Sequence, residues 1–243
     1  LMDFGKSRTS KERDEWYSFQ KILRQEWVES SLSDLEQEEP EDLMMHPLRL
    51  ALEVQSLMNQ NDWLVIDGGN THFWSEIAVN MAGAQGKELA GILHPGSFSM
   101  LGVGVSFGLA AKLNHPKDRV VVISGDGAFL SGGLSIEAAF QENLPITVVI
   151  DNNGGLTTIS QQQERLFADE RHVATDFRDI PFHTMFEGMG GHGELVEKPE
   201  DLKPALERAL SSGKTACVNV RTRSAISPIV LATTSKRDKA SIE

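Results

Sequence analysis

Four stretches of this chain are continuously apolar and rich in β-branched residues: WLVID at 63–67, RVVVIS at 119–124, ITVVID at 146–151 and TACVNV at 215–220. A strand with one wet face alternates apolar and polar side chains, so an unbroken apolar run implies burial on both faces. Between these runs the apolar spacing is helical, over about 47–60, from 71, and over 99–114, 133–143 and 200–211. Doubly buried strands alternating with helices predict an α/β fold: a doubly wound parallel sheet with helices on both faces. Such sheets bind ligands beyond the carboxyl ends of their strands.

Three loops at those carboxyl ends carry residues that a mere connection does not need. They are DGGNTH after the first strand, GDGAF after the second and DNNGG after the third. In a parallel sheet all three converge on one rim. Asp126 offers a hard anionic oxygen, Asn153 an amide oxygen, and Gly154-Gly155 lets a main-chain carbonyl turn inward. Completed by phosphate oxygens and water, this is an octahedral Mg²⁺ site of the shared kind that magnesium prefers. Gly127 and Ala128 open the following helix, so its first N–H groups can face a diphosphate.

The 45 residues before the first helix of this pattern read differently. Trp16, Phe19, Leu23 and Trp27 recur at helical spacing and predict a helix over about 12–32 whose apolar stripe needs a cover. The acidic run SDLEQEEPED, 33–42, reads as a solvated linker. Three parts are expected: a helical arm and linker at 1–45, an α/β domain at 46–222 and a tail at 223–243. From 221 onward the chain carries an apolar patch with Arg221, Arg223, Lys236 and Arg237 around it, and is expected to close over the site, to contact a ligand phosphate or to lie free.

A net charge of -12 argues against a nucleic-acid partner. No segment has the length and apolarity of a membrane span, and the first residues have no apolar signal core, so cytoplasm is the expected compartment. The single cysteine, Cys217, excludes a disulfide framework and is expected as a buried structural thiol. His72, His94, His183 and His192 are isolated in sequence and are expected in surface or structural roles. Glu76 and Glu137 are expected to be structural or exposed on their helices.

The stretch SGDGAFLSGGLSIEAAFQENLPITVVIDNNGG, 124–155, resembles the cofactor signature of thiamine diphosphate-dependent enzymes, a GDG followed one helix and one strand later by NN. Residues 46–222 are similar to the pyrophosphate-binding domain of that superfamily, in the group of acetolactate synthase, oxalyl-CoA decarboxylase and 2-hydroxyacyl-CoA lyase. The resemblance implies thiamine diphosphate and Mg²⁺ as cofactors, with Asp126, Asn153 and the carbonyl of Gly155 as metal ligands. Gly125, Gly127 and Ala128 complete the diphosphate turn, beside Gly69, Asn70 and Thr71. From GSFSMLGVGVSFGLAAKL at 96–113, Leu101 takes the place of the side chain that wedges under the cofactor, and the carbonyl of Ser99 that of the acceptor for its amino group.

GGNT and GSFSMLGVG look more like the CoA-dependent branch than like acetolactate synthase, although GDG stands where that branch commonly has GDS. The implied activity is cleavage or formation of a carbon-carbon bond next to a carbonyl, 2-hydroxyacyl-CoA lyase-like. The alternatives are an acetolactate synthase-like or 2-oxo acid decarboxylase subunit, or a non-catalytic thiamine diphosphate-binding protein. The implied substrate is a small 2-oxo or 2-hydroxyacyl compound, with CoA thioesters among the candidates. Relatives also carry a pyrimidine-binding domain whose glutamate activates the cofactor, and residues 1–45 leave no room for one. The activating glutamate is therefore expected on a partner chain in a hetero-oligomer, or on the remainder of a longer chain of which this is a fragment.

Overall fold

The computed structural model describes residues 10–38, 44–167 and 172–227. The chain runs α1 (Ser10–Glu38), α2 (Pro47–Leu57), β1 (Trp63–Ile66), α3 (Asn70–Ala84), β2 (Gly91–Leu93), α4 (Gly104–Asn114) and β3 (Val120–Gly125). It continues through α5 (Asp126–Gly132), α6 (Glu137–Gln141), β4 (Thr147–Asn152), α7 (Thr157–Phe167), α8 (Phe182–Gly188), β5 (His192–Val196), α9 (Pro199–Ser211) and β6 (Ala216–Arg221). The strands pair in parallel throughout, in the order β2-β1-β3-β4-β6-β5. This is the α/β, doubly wound sheet that the apolar runs predict.

Strand alternation sorts side chains into two cores. Leu64 and Ile66 of β1, Val121 and Ile123 of β3, Val149 of β4 and Val218 of β6 pack with α2 and α9, through Leu50, Val54, Leu202 and Leu206. Their neighbours Val65, Val120, Val122, Val148, Ile150 and Cys217 face the other way, against Val105, Phe129, Phe182 and Phe186. Each such aliphatic side chain contributes roughly 1.5–3 kcal/mol on full burial, and Asn219, a polar residue inside β6, is buried with a hydrogen bond from Asn152 Nδ2 at 3.0 Å. Burial also pushes the Cys217 thiol well above its ordinary pKa, which makes it an inert core residue as expected.

Two strands escaped the apolar-run criterion, for physical reasons. β2 is three residues long, and β5 reads HGELV and is only partly covered, because both lie at sheet edges. The helix expected over 99–114 starts at Gly104, since a 3₁₀ turn at Gly96–Phe98 and a left-handed Ser99 (φ 45°) turn the preceding residues into a loop. The helix expected over 133–143 is a 3₁₀ turn at Gly133–Ile136 followed by α6.

The arm differs from its expected form. α1 runs through the first part of the acidic segment to Glu38, so the linker is helical there, and residues 39–43 lie outside the described residues. Val28, Leu32 and Leu35 dock it on Trp74, Ile77, Ala78 and Met81 of α3. The aromatic stripe does not dock: Trp16, Phe19, Leu23 and Trp27 remain 40–55% exposed. Of the tail, Lys236 and Arg237 lie outside the described residues. Among the described residues no helix is long and apolar enough to cross a membrane.

Two glycines test this packing in opposite directions. A Cβ on Gly132 would lie 2.0 Å from the carbonyl oxygen of Gly102, whereas one on Gly83, in α3, would meet nothing within 4 Å. Gly132→Ala should cost about 1–3 kcal/mol through overpacking, and Gly83→Ala should add about 0.5–1 kcal/mol through helix propensity. Thermal melts report both, at roughly 2–4 °C per kcal/mol for a chain of this size. An unchanged melting temperature for Gly132→Ala would contradict the close approach.

Candidate cofactor site

The chain leaves β1 toward β2 on one side of the sheet and leaves β3 toward β4 on the other. Neighbouring loops that diverge in this way open a crevice at the carboxyl rim. Gly69, Asn70, Thr71, Ser99, Leu101, Gly125, Asp126, Gly127, Ala128, Asn153 and Gly155 all line it. The cleft encloses about 290 Å³, at the low end of ligand pockets. Every residue singled out for the cofactor from sequence thus faces one space.

The first loop and the loop before α4 are pressed together. A Cβ on Gly68 would sit 2.3 Å from the carbonyl oxygens of Ser99 and Met100, so no side chain fits. Gly69 adopts φ 93°, open to glycine at little cost, and donates its N–H to Ser99 Oγ at 3.0 Å. Asp67 holds the arrangement. Its Oδ1 accepts from the N–H groups of Gly68, Gly102 and Val103 at 2.8, 2.9 and 3.1 Å, and its Oδ2 accepts from Ser124 Oγ at 2.9 Å.

Asp126 follows β3 and is 2% exposed. Its Oδ1 accepts from Gly127 N at 2.7 Å and its Oδ2 from Gly154 N and Gly155 N at 2.8 and 2.9 Å, which ties the GDG turn to the NNGG turn. Burial, and then the charge of Asp151, push its pKa up to about 7, against the three N–H groups that pull it down. Asp151 is fully buried under Thr71 Oγ1, which donates at 2.6 Å, and Thr222 Oγ1. Burial raises its pKa too.

Three buried oxygens on the cleft lining have no hydrogen-bond partner: Asn70 Oδ1, Asn153 Oδ1 and Thr158 Oγ1. Orphaned buried polar atoms are rare in proteins, and three lining one cleft mark a surface shaped for polar groups from outside. The amide of Asn70 is oriented from its other end, since Nδ2 donates to Ala225 O at 2.6 Å and Trp74 Nε1 donates to the same oxygen at 3.2 Å. The start of the tail therefore packs against the back of the site.

Sequence reasoning missed several residues here. Phe73, Leu156, Thr157, Thr158 and Ile159 also line the cleft. The signal was the pair of threonines after NNGGL, a hydroxyl-rich helix start that opens α7. Asp67 and Asp151 were legible as acids at strand ends, but their partners come from distant parts of the chain.

Beside the cleft, His72 is buried rather than exposed. Its Nδ1 lies 3.1 Å from Ser99 Oγ and its Nε2 3.0 Å from Glu76 Oε1. Burial, opposed by Glu76, holds the His72 imidazole below its ordinary pKa. His94 stands over the same carboxylate, its Nδ1 3.8 Å from Glu76 Oε1. His183 and His192 lie away from the cleft, near Asn219 and Glu194 respectively.

Comparison with known proteins agrees with this geometry. Residues 67–220 match the family described as "Thiamine pyrophosphate enzyme, C-terminal TPP binding domain". A probable acetolactate synthase of Mycobacterium bovis is 35% identical over 199 residues, covering 80% of this chain and 35% of that protein. A 2-hydroxyacyl-CoA lyase of Oryza sativa subsp. japonica is 32% identical over 138 residues, 53% of this chain and 23% of that protein. A 2-hydroxyacyl-CoA lyase 2 of Mus musculus is 29% identical over 174 residues, 71% and 26% respectively. The chain spans about a quarter to a third of the length of these relatives. With the family match running from Asp67 to Val220, through every loop that lines the cleft, the chain belongs to the thiamine pyrophosphate enzymes, as their C-terminal TPP binding domain.

Proposed function

We propose that this chain is the cofactor-anchoring part of a thiamine diphosphate- and Mg²⁺-dependent enzyme that cleaves or forms a carbon-carbon bond next to a carbonyl, with 2-hydroxyacyl-CoA as the substrate class and residues 46–222 as the binding domain. The observation that carries the cofactor is the set of orphaned oxygens that shares a cleft with Asp126. Asn153 Oδ1 has no partner, Asp126 is an acid that burial disfavours as an anion, and both line one cleft. A hard divalent cation with phosphate oxygens answers both deficits. Asp126, Asn153 and the Gly155 carbonyl would hold the ion, while Asn70, Thr71 and Thr158 would meet the diphosphate. When bound, the cofactor supplies an electron sink for the carbon that loses or gains a bond.

The protein's own part is positional. Asp67 and Gly68 fix the 99–102 loop, which sets the Ser99 carbonyl and the Leu101 side chain at the cleft wall. Leu101, Leu156 and Ile159 supply apolar lining that limits water. Two features favour a partner that completes the site. Phe98, on the loop beside the cleft, is 91% exposed, and the aromatic stripe of α1 is uncovered. Exposed aromatic side chains on one helix and on the loop beside the cleft suit a surface that another chain or domain covers. The partner would carry the pyrimidine-binding domain and the activating glutamate, on another chain or on the rest of a longer one.

The substrate class rests on GGNT and GSFSMLGVG. A second reading, acetolactate synthase-like, is favoured by the 35% identity over 80% of the chain to the mycobacterial protein. Assays of the completed enzyme separate them: turnover of a 2-hydroxyacyl-CoA with pyruvate ignored supports the first, and rapid acetolactate formation from pyruvate establishes the second.

Asp126→Ala should leave the circular dichroism spectrum unchanged and abolish Mg²⁺-dependent binding of thiamine diphosphate in calorimetric titration. Affinity within about threefold of wild type, ~0.7 kcal/mol, would refute the metal assignment. The isolated chain should show no turnover, and adding a chain with the pyrimidine-binding domain should restore it, because acid-base help of this kind is worth ~10²- to 10⁴-fold. Full activity from the isolated chain would place the activating acid within these 243 residues.

A further inference from the structure

Next to the cleft, but outside its lining, three side chains point nitrogen and oxygen atoms at one another. His72 and Glu76 lie one turn apart on α3, and His94 follows β2. One ligand atom from each falls within 4.8 Å of the other two. His72 Nε2 to Glu76 Oε1 is 3.0 Å, and His94 Nδ1 to the same oxygen is 3.8 Å. Atoms bound tetrahedrally to one Zn²⁺ at its usual bond lengths stand about 3.3 Å apart. The observed pair of distances brackets that value, so side-chain adjustment alone would close the cluster on an ion.

Two further observations point to a ligand. His72 is 2% exposed, and its Nε2, which makes no well-formed hydrogen bond, faces Glu76 Oε1 at 3.0 Å. In the tautomer protonated at Nδ1, this buried nitrogen, facing a carboxylate and a second imidazole, presents a lone pair to a cation. Its other nitrogen is already held, since Nδ1 is 3.1 Å from Ser99 Oγ, which accepts from Gly69 N. Orientation of a ligating histidine through its second nitrogen is the usual support of a metal site. Ser99 Oγ has a second lone pair for Nδ1–H, the tautomer that leaves Nε2 free to ligate. His94 Nδ1 accepts a 3.3 Å hydrogen bond from Gly96 N, which an ion at this nitrogen would displace. The side chains of Glu76 and His94 are 37% and 41% exposed, which gives an ion a path in and leaves room for water.

We propose that His72, Glu76 and His94 bind a divalent first-row transition metal such as Zn²⁺, with a fourth position open to water or an oxygen ligand from outside. Two imidazoles and one carboxylate select zinc, cobalt and their neighbours over magnesium. The ion would pin the 94–99 loop to α3 and thereby steady Ser99 at the cleft wall. The site shares no ligand with Asp126 and Asn153, so it stands or falls independently of the proposed cofactor reading.

Co²⁺ is the probe, because a tetrahedral Co²⁺ centre absorbs far more strongly in the visible than an octahedral one. The metal-free full chain titrated with Co²⁺ should develop tetrahedral bands that saturate at one ion per chain and are displaced by Zn²⁺. The same bands should appear in Asp126→Ala, while His94→Ala and Glu76→Gln should bind at least about tenfold more weakly. Both of those side chains are partly exposed, and circular dichroism checks that the variants fold. Absence of the bands in the wild-type chain, their retention at near-wild-type affinity in His94→Ala and Glu76→Gln, or their loss in Asp126→Ala would each overturn the proposal.

Discussion

The site depends on one carboxylate that touches no ligand. Asp67 stands just past β1 and gathers the N–H groups of Gly68, Gly102 and Val103 on one oxygen and the hydroxyl of Ser124 on the other. Three elements meet at this point: the end of β1, the N-terminal side of α4 and the end of β3. Loss of these hydrogen bonds would leave several N–H groups unpaired. The glycines around Asp67 follow from this crowding. A Cβ at Gly104 would lie 2.8 Å from Asp67 Oδ2, and one at Gly68 would strike the opposing backbone.

A pair of acids carries the opposite cost. Asp126 and Asp151 are buried near each other, and burial disfavours the charge of both. Asp151 is matched by the two threonine hydroxyls above it, whereas Asp126 relies on three backbone N–H groups. Those N–H groups come from the loops after β3 and β4, so the carboxylate that carries the unfavourable charge also fixes the relative position of both turns. A functional site commonly retains such a locally unfavourable group and recovers the cost on binding.

Much of this was legible in the chain. The runs RVVVIS, ITVVID and TACVNV declared buried parallel strands, because only a doubly covered strand tolerates an unbroken apolar stretch. GDG and NNGG could be placed on a common rim, because parallel strands end on the same side. What was not legible depends on distance. β2 and β5 are edge strands whose partial exposure removes the apolar signal. The helix that seemed to start at 99 begins at Gly104, because Asp67, some 35 positions earlier, accepts the N–H groups of Gly102 and Val103. His72 reads as an isolated histidine in a surface or structural role, and only the fold shows that α3 turns it inward against Ser99 and brings Glu76 and His94 to its other side.

The sequence by itself determined the layered parallel sheet and the loops that face its ligand rim, since burial pattern and glycine placement are local properties of the chain. Only the tertiary structure decided which polar atoms end without a partner, how Asp67 and Asp126 clamp the loops, that the stripe of α1 stays uncovered while Val28 docks, and that two histidines and a glutamate converge. Those outcomes depend on which side chains share a few ångströms of space after the helices have packed, and apart from His72 and Glu76, one turn apart on α3, no spacing along the chain encodes that proximity.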